Sequence, residues 1–389
     1  MEFLVLILAY LFALVATSLF FFGLWRVIRT FAIVERLAQF LRELGLSREP
    51  TNPILVPRSD LRWEEGGVMN PAAVEAGGKV HLFYRAVGGD GVSRIGYAAS
   101  TDGMKVDEQL PYPVFAMEGV DGGDAAHREM MRRRFPELVA SGGSWGGVED
   151  PRTVIIDDRM YLSFSAFYNW SSLRIGVSSI KVSDLLNKRW KWSPPVFLSP
   201  SNAVRKNWVL FPEKINGKFA LLHAFKHNDR NTALVEYLDS LDHDPDPSIE
   251  GDPRFRNDAD PNAWDTWVRS PGPPPVKTKD GWLVLYHAND KREPHKYKLG
   301  AMLLDKNDPT KVIARSPGPI LSPDEWYENE GKEGIVYACG ALIRNGDLHV
   351  YYGGGDRVVC AAKTPLAKLT KKLETVDARH LSKPLPSFG

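Results

Sequence analysis

Two kinds of apolar pattern divide this chain. Residues 3–25 read FLVLILAYLFALVATSLFFFGLW, an uninterrupted run without a charge. About 20 apolar residues cross a bilayer as a helix, so the run predicts a membrane anchor within residues 1–27. A secretory signal would start basic, carry a shorter apolar stretch and end in a small-residue cleavage site. Here Glu2 precedes the run and Trp25-Arg26 closes it. Arg26, Arg29, Arg36 and Arg42 all follow the span. By the positive-inside rule, that predicts a single-pass inner-membrane protein with its body in the cytoplasm. Next, Val27, Phe31, Ile33, Val34, Leu37, Phe40, Leu41 and Leu44 recur at near-helical spacing. They predict an amphipathic helical linker over 28–50, able to lie on a membrane, pack on the body or dock a membrane protein partner. Pro50 and Pro53 end it.

Beyond Pro53 the period changes. Five segments repeat one order: a Pro or Gly entry, a short apolar strand, a polar turn and a second, aromatic strand. They start at Asn70 (NPAAVEAGGKVHLFYRAVGGDG), Asp150 (DPRTVIIDDRMYLSFSAFYN), Phe211 (FPEKINGKFALLHAFKHND), Pro273 (PPPVKTKDGWLVLYHAND) and Tyr337 (YACGALIRNGDLHVYYGGGD). Gly-Gly, Asp-Asp, Asn-Gly and Asp-Gly occupy the turns, as hairpins require. Units this small bury their faces only by stacking on one another. The expected fold is therefore all-β, a five-bladed β-propeller over 51–375, with a short tail over 376–389. A sandwich or barrel of irregular meanders is the competing architecture, and five regular recurrences speak against it.

Composition narrows the partners. Lys and Arg number 49 against 48 Asp and Glu, a net charge of +1. This balance speaks against a nucleic-acid binder that relies on bulk positive charge. Cys339 and Cys360 are the only cysteines. They exclude a disulfide scaffold and a Cys-rich zinc site and fit a reducing compartment. No metal site is expected.

In a propeller, loops at one end of the inner strands converge on a central channel. Asn70, Asp150, Glu213 and Asp356 hold matching polar positions in different repeats. One carboxylate beside a proline is ordinarily a turn residue. Several aimed at one channel, in a chain with 11 Trp and 13 Tyr, point to a carbohydrate site.

The segments NPAAV, GKVHLFYRAVGGDGVSRIGYAASTDG, GVEDPRTV, LFPEKINGKFALLH, GPPPVKTKDGWLVLYH, LGAMLLDKNDPTKVIAR and CGALIRNGDLHVYYGGGD strongly resemble glycoside hydrolase family 130. That family contains β-mannoside phosphorylases and β-mannosidases. The resemblance runs in order from about Asn52 to about Lys372. It implies a five-bladed propeller, a central glycoside site and inverting chemistry on β-mannosides. No cofactor is implied, and inorganic phosphate is the co-substrate in a phosphorylase.

By the same resemblance, Asp150 of the Asp-Pro-Arg motif is the proton donor. Such a donor carries a proton at working pH, which predicts a carboxyl raised by burial or by Glu149 beside it. Asn70 and Asp356 match positions that hold hydroxyls of the transferred mannose, and Asp90 is a further candidate for that task. Arg85 matches a basic residue of the phosphate pocket. Arg94, Arg152 and Lys206 are further candidates for the anion, since a phosphate dianion needs several charge-assisted donors. His287 is expected to face the ligand.

Ala224 stands where many phosphorylases of the family show His-Arg. An insertion over 120–147 carries Arg128, Arg132, Arg133 and Arg134, and reads as a lid, an anion contact, a membrane-facing patch or a plain surface helix. Two chemical outcomes stay open at this level. Phosphate as nucleophile releases α-mannose 1-phosphate; water needs a carboxylate base, for which Glu330 and Glu333 are the candidates. A reading of another class is a non-catalytic glycan-binding or scaffold subunit of a membrane glycan-synthesis complex. The intact Glu149-Asp150-Pro151-Arg152 motif speaks against it.

Overall fold

The computed structural model describes residues 22–30, 45–120, 145–169, 172–200, 205–226, 231–243 and 263–374, with residues 35, 123, 124, 126, 129, 130 and 133 between them. The chain forms two compact units, Met1–Gly45 and Leu46–Gly389.

In the first unit, residues 22–30 are helical and exposed. The Thr30 hydroxyl donates to the Arg26 carbonyl at 2.8 Å, one turn back. The expected single-pass inner-membrane localisation is corrected here. Among the described residues no helix is long and apolar enough to cross a membrane. Residues 22–30 make two and a half turns and include Arg26 and Arg29. Residues 3–21 of the expected span lie outside the described residues, as does most of the linker.

The second unit is mostly β, the class expected, and its described strands form four sheets. Five antiparallel meanders compose them. The first joins Gly67–Ala76, Lys79–Val87 and Val92–Ser100; the second joins Gly146–Ile156, Arg159–Asn169 and Ser172–Lys181. A short parallel pairing, Val92↔Gly146 and Ser93↔Gly147, merges these two into one sheet. The third holds Val209–Leu210, Phe219–Phe225 and Ala233–Leu238. The fourth is built on Trp267–Pro271, Trp282–Asp290, Glu293–Leu304 and Val312–Arg315. Val336–Arg344, Asp347–Gly354 and Val358–Pro365 form the fifth.

The second strands of the meanders bury nearly every position, so alternation is weak there and they read as near-continuous apolar runs. Trp282–Asp290 is buried at every position. The core lies between meanders. Phe83 and Ile95 of the first pack with Leu162 and Phe164 of the second. Val177 of the second packs with Leu221 of the third, and Leu222 of the third with Val284 of the fourth. Tyr351 and Val359 of the fifth meet Val68 and Leu82 of the first. Between the fourth and fifth, Tyr297 bridges to Ile335.

The first and last described strands of the body meet in one sheet. Ser47–Arg48 pairs antiparallel with Val358–Pro365 as the outermost strand of the fifth meander. Glu328, wholly buried, anchors this closure. It accepts Arg48 Nε at 2.8 Å, the Tyr352 hydroxyl at 2.8 Å and the Glu325 main-chain N–H at 3.0 Å.

Of the 120–147 insertion, little is described. Arg133 pairs with Glu129 at 3.0 Å on an exposed helical stretch, and Arg128, Arg132 and Arg134 lie outside the described residues.

Candidate active site

The first strands of the first two meanders carry the same irregularity. Register with the neighbouring strand shifts between Met69 and Ala72, and again between Glu149 and Arg152. Asn70-Pro71 and Asp150-Pro151 occupy these bulges. Asn70 and Asp150 both sit in the left-handed region, at φ 50°. Asn and Asp tolerate that region better than other side-chain-bearing residues, and a bulge re-aims the side chain it carries. Asp356, in the turn between the last two strands of the fifth meander, has φ 51°.

The bulges bring two side chains face to face across sequence. Asn70 Nδ2 donates to Asp150 Oδ1 at 2.7 Å. Both residues are buried, and Asn70 Oδ1 has no hydrogen-bond partner. Close approach of the fifth meander helps to enclose the pair. A Cβ at Gly353 would stand 2.2 Å from Asn70 Oδ1, and one at Gly340 would stand 2.7 Å from the Pro71 carbonyl. Only glycine leaves room at either position.

Arg85 closes the cluster from the second strand of the first meander. Its NH1 reaches Asp150 Oδ1 at 3.2 Å, its NH2 reaches Glu149 Oε1 at 3.0 Å and its Nε reaches Ser93 Oγ at 2.9 Å. Lys206 Nζ lies 3.7 Å from Glu149 Oε2 and keeps about a fifth of its side chain exposed. Arg152 differs from Arg85 in kind. It is buried, donating from Nε to the Gly272 carbonyl at 3.0 Å and from NH1 to the Asp150 carbonyl at 2.7 Å.

The electrostatics reverse one expectation. Burial pushes the Asp150 carboxyl up, but Arg85, Arg152 and Lys206, helped by the Asn70 amide, hold it below the usual carboxylate range. The free protein therefore keeps Asp150 ionised, where sequence reasoning expected a raised acid. That reasoning saw burial and Glu149 but not three converging cations. Asp356 behaves oppositely. Burial raises its carboxyl, against Lys332, 3.5 Å away, and Arg85.

His287 is wholly buried, and both its ring nitrogens meet protein. Nε2 accepts the Ala338 N–H at 2.9 Å, and Nδ1 lies 3.3 Å from Ser270 Oγ. Its ring stacks on Tyr337 with centroids 3.9 Å apart. Burial, then Arg152, lowers its pKa to about 3, so it is neutral. This places His287 behind Tyr337 as a support.

Other candidates stand apart. Asp90 and Arg94 pair with each other, 2.6 Å from Arg94 NH2 to Asp90 Oδ2, and the Asp90 side chain is half exposed. Asp90 also accepts the Val92 N–H at 3.0 Å, the role of an ordinary turn residue. An exposed pair of this kind contributes little. Asp90→Asn is expected to leave turnover within about threefold of the parent, a difference under ~1 kcal/mol on the usual arithmetic; a larger loss would bring Asp90 into the site. Glu213 is half-buried and pairs with Lys277 at 2.6 Å. Glu330 and Glu333 are exposed, and Glu330 lies 3.7 Å from Arg357.

Sequence reasoning missed Ser93, Tyr337 and Cys339. Cys339 sits at a third bulge, between Ala338 and Gly340. Burial raises its thiol to about 12, with Arg152, Asp150, Arg85 and Asp356 close enough to act on it. Distance to the hairpin turn is the signal that would have found it: Cys339 stands 6 residues before Asn345, close to the 7 that separate Asn70 from Gly77 and Asp150 from Asp157.

The sequence profile of glycoside hydrolase family 130, described as beta-1,4-mannooligosaccharide phosphorylase, matches residues 47–375. A 1,2-beta-oligomannan phosphorylase of Thermoanaerobacter sp. (strain X514) is 35% identical over 329 residues, 82% of this chain and 97% of that protein. A beta-1,2-mannobiose phosphorylase of the same strain is 33% identical over 325 residues, 80% and 94% of the two chains. Among solved structures, the beta-1,2-mannobiose phosphorylase from Listeria innocua in complex with beta-1,2-mannobiose has a TM-score of 0.63 at 24% identity, covering 85% of this chain and 99% of that one. A putative glycoside hydrolase from Parabacteroides distasonis has a TM-score of 0.62 at 26% identity, covering 82% and 96%. With the profile spanning the whole β body and both relatives matched almost end to end, the chain belongs to glycoside hydrolase family 130 and is an enzyme acting on glycosides.

Proposed function

We propose that this enzyme cleaves β-1,2-mannosidic linkages by phosphorolysis, with inversion to α-mannose 1-phosphate. The supporting observation is the charge around Asp150. One carboxylate pair, Glu149 and Asp150, faces Arg85, Arg152 and Lys206, an excess of cations suited to an anionic nucleophile. The relatives named 1,2-beta-oligomannan phosphorylase and beta-1,2-mannobiose phosphorylase support the linkage. In this reading the five meanders close into a five-bladed propeller, which the core between successive meanders and the contact of the fifth with the first support.

Phosphate attacks the anomeric carbon of the non-reducing mannosyl unit. The C1–O bond breaks, and the proton for the leaving oxygen comes from Asp150. Asn70, with its open Oδ1, and Asp356 hold hydroxyls of that sugar. Lys206 is the reachable cation for phosphate; Arg85 and Arg152 set the field.

The test is incubation with β-1,2- and β-1,4-mannobiose, with and without phosphate. Mannose 1-phosphate and mannose in equal amounts, only with phosphate and faster from the β-1,2 substrate, are expected. Mannose released equally without phosphate would assign hydrolysis instead, with Glu330 as the first residue to test as base. No product from either disaccharide would overturn the reading.

A further inference from the structure

Glu149 is a charged group of the cluster to which phosphorolysis as described gives no task. It is wholly buried. Its two oxygens face different cations: Oε1 lies 3.0 Å from Arg85 NH2, and Oε2 lies 3.7 Å from Lys206 Nζ. Arg85 in turn spends its other terminal nitrogen on Asp150, at 3.2 Å, and its Nε on Ser93. Two neighbouring carboxylates thus share one guanidinium, and the outer of the two cations is held by the longer contact.

The two contacts of Glu149 are unequal in kind. The Arg85 side is a charge-assisted hydrogen bond between groups that are both buried. The Lys206 side is a looser ion pair with an amine that water still reaches. An arriving dianion competes for the second far more easily than for the first. Resting on the phosphorolysis reading, we propose that Glu149 is a positioning residue: it clamps Arg85 against Asp150 and serves as the resident counter-anion that phosphate displaces from Lys206.

This assignment makes opposite predictions for binding and for turnover. Removing the Glu149 charge makes the pocket more positive, so phosphate binds more tightly. It also leaves the Arg85 charge to Asp150 alone, which makes the donor harder to protonate. The residues that act on Asp150, namely Arg85, Arg152, Lys206 and Asn70, with Tyr337 and Asp356 close by, are all retained in the variant. The effect therefore reports Glu149.

The experiment compares the parent with Glu149→Gln by calorimetry with inorganic phosphate, and by turnover of β-1,2-mannobiose across pH. Expected are a phosphate Kd lowered about fivefold, a kcat lowered at least about tenfold, and an alkaline limb moved down by about one pH unit, each of order 1 kcal/mol in a screened, partly wet site. Repeating the titration in Lys206→Gln and in the double variant isolates the displacement, since the gain from Glu149→Gln should vanish without the amine. A phosphate Kd unchanged or raised in Glu149→Gln, or a gain that survives the loss of Lys206, overturns the proposal. Where Glu149→Gln melts well below the parent, Glu149→Asp supplies the measurement: its shorter arm should lose Lys206 and tighten phosphate while keeping the Arg85 contact, and an unchanged Kd overturns the proposal equally. Failure of the phosphorolysis reading looks different. The parent would then bind phosphate with the predicted response to Glu149→Gln and still form no mannose 1-phosphate.

Discussion

Asp150→Asn is expected to lower kcat for mannose 1-phosphate formation by about three orders of magnitude, within the range that loss of a positioned acid produces. The substitution keeps shape and hydrogen-bonding reach, so the contact with Asn70 and the fold should persist. Thermal melting beside the assay separates a chemical loss from a structural one. A loss under about tenfold would remove Asp150 from the role of proton donor. The parent carries a pH signature of the same residue. With Asp150 held low in the free protein, a protonated donor is scarce until a counter-anion offsets the cations. As pH rises through the pKa of Asp150, activity that needs the proton is lost. Phosphate raises that pKa, so the alkaline limb should lie higher at saturating phosphate than at limiting phosphate. Identical limbs at both concentrations would uncouple the donor from the anion.

Arg152→Met should have the largest effect on stability. The guanidinium is buried and joins three meanders, reaching the Gly272 carbonyl and the Asp150 carbonyl while lying against Tyr337. Methionine fills part of the volume but leaves both buried carbonyls without those donors. Each such loss costs about 1–3 kcal/mol, so a total near 3 kcal/mol is expected from denaturant midpoints. Activity should fall as well, because the bond to the Asp150 carbonyl holds the left-handed backbone that aims the carboxylate. Arg152→Lys should recover only part of the loss, since an ammonium lacks the planar fork that serves both carbonyls at once. A change under about 1 kcal/mol in Arg152→Met would show the carbonyls resatisfied by water.

The meanders were readable because hairpin chemistry is local. Gly77-Gly78, Asp157-Asp158 and Asn345-Gly346 each stand at a turn and adopt positive φ there at one or both positions, as the residue types alone suggest. Asn70 and Asp150 were readable for a related reason, since a polar residue before proline at the head of a strand marks an irregular position. What stayed hidden depends on separations of tens to hundreds of residues. That Arg85 turns toward Glu149 and Asp150, while Glu213 turns out to Lys277, follows from how neighbouring meanders pack, and local pattern carries no record of it. The same holds for Arg152, whose length suggests an anion ligand until the Gly272 carbonyl, 120 positions away, claims it. The apolar run at residues 3–25 shows the opposite failure. Its hydropathy was plain, and yet among the described residues no helix is long and apolar enough to cross a membrane.

The matched bulges also explain why an amide stands at residue 70. Equivalent backbone positions in two repeats aim their side chains at one another, with the nearest atoms 2.7 Å apart. Were both carboxylates, like charge at that distance would force them to share a proton. Replacing one oxygen by NH2 turns the clash into a donated hydrogen bond without altering size. A duplicated scaffold thus acquires its chemistry by departing from its own symmetry at a single atom.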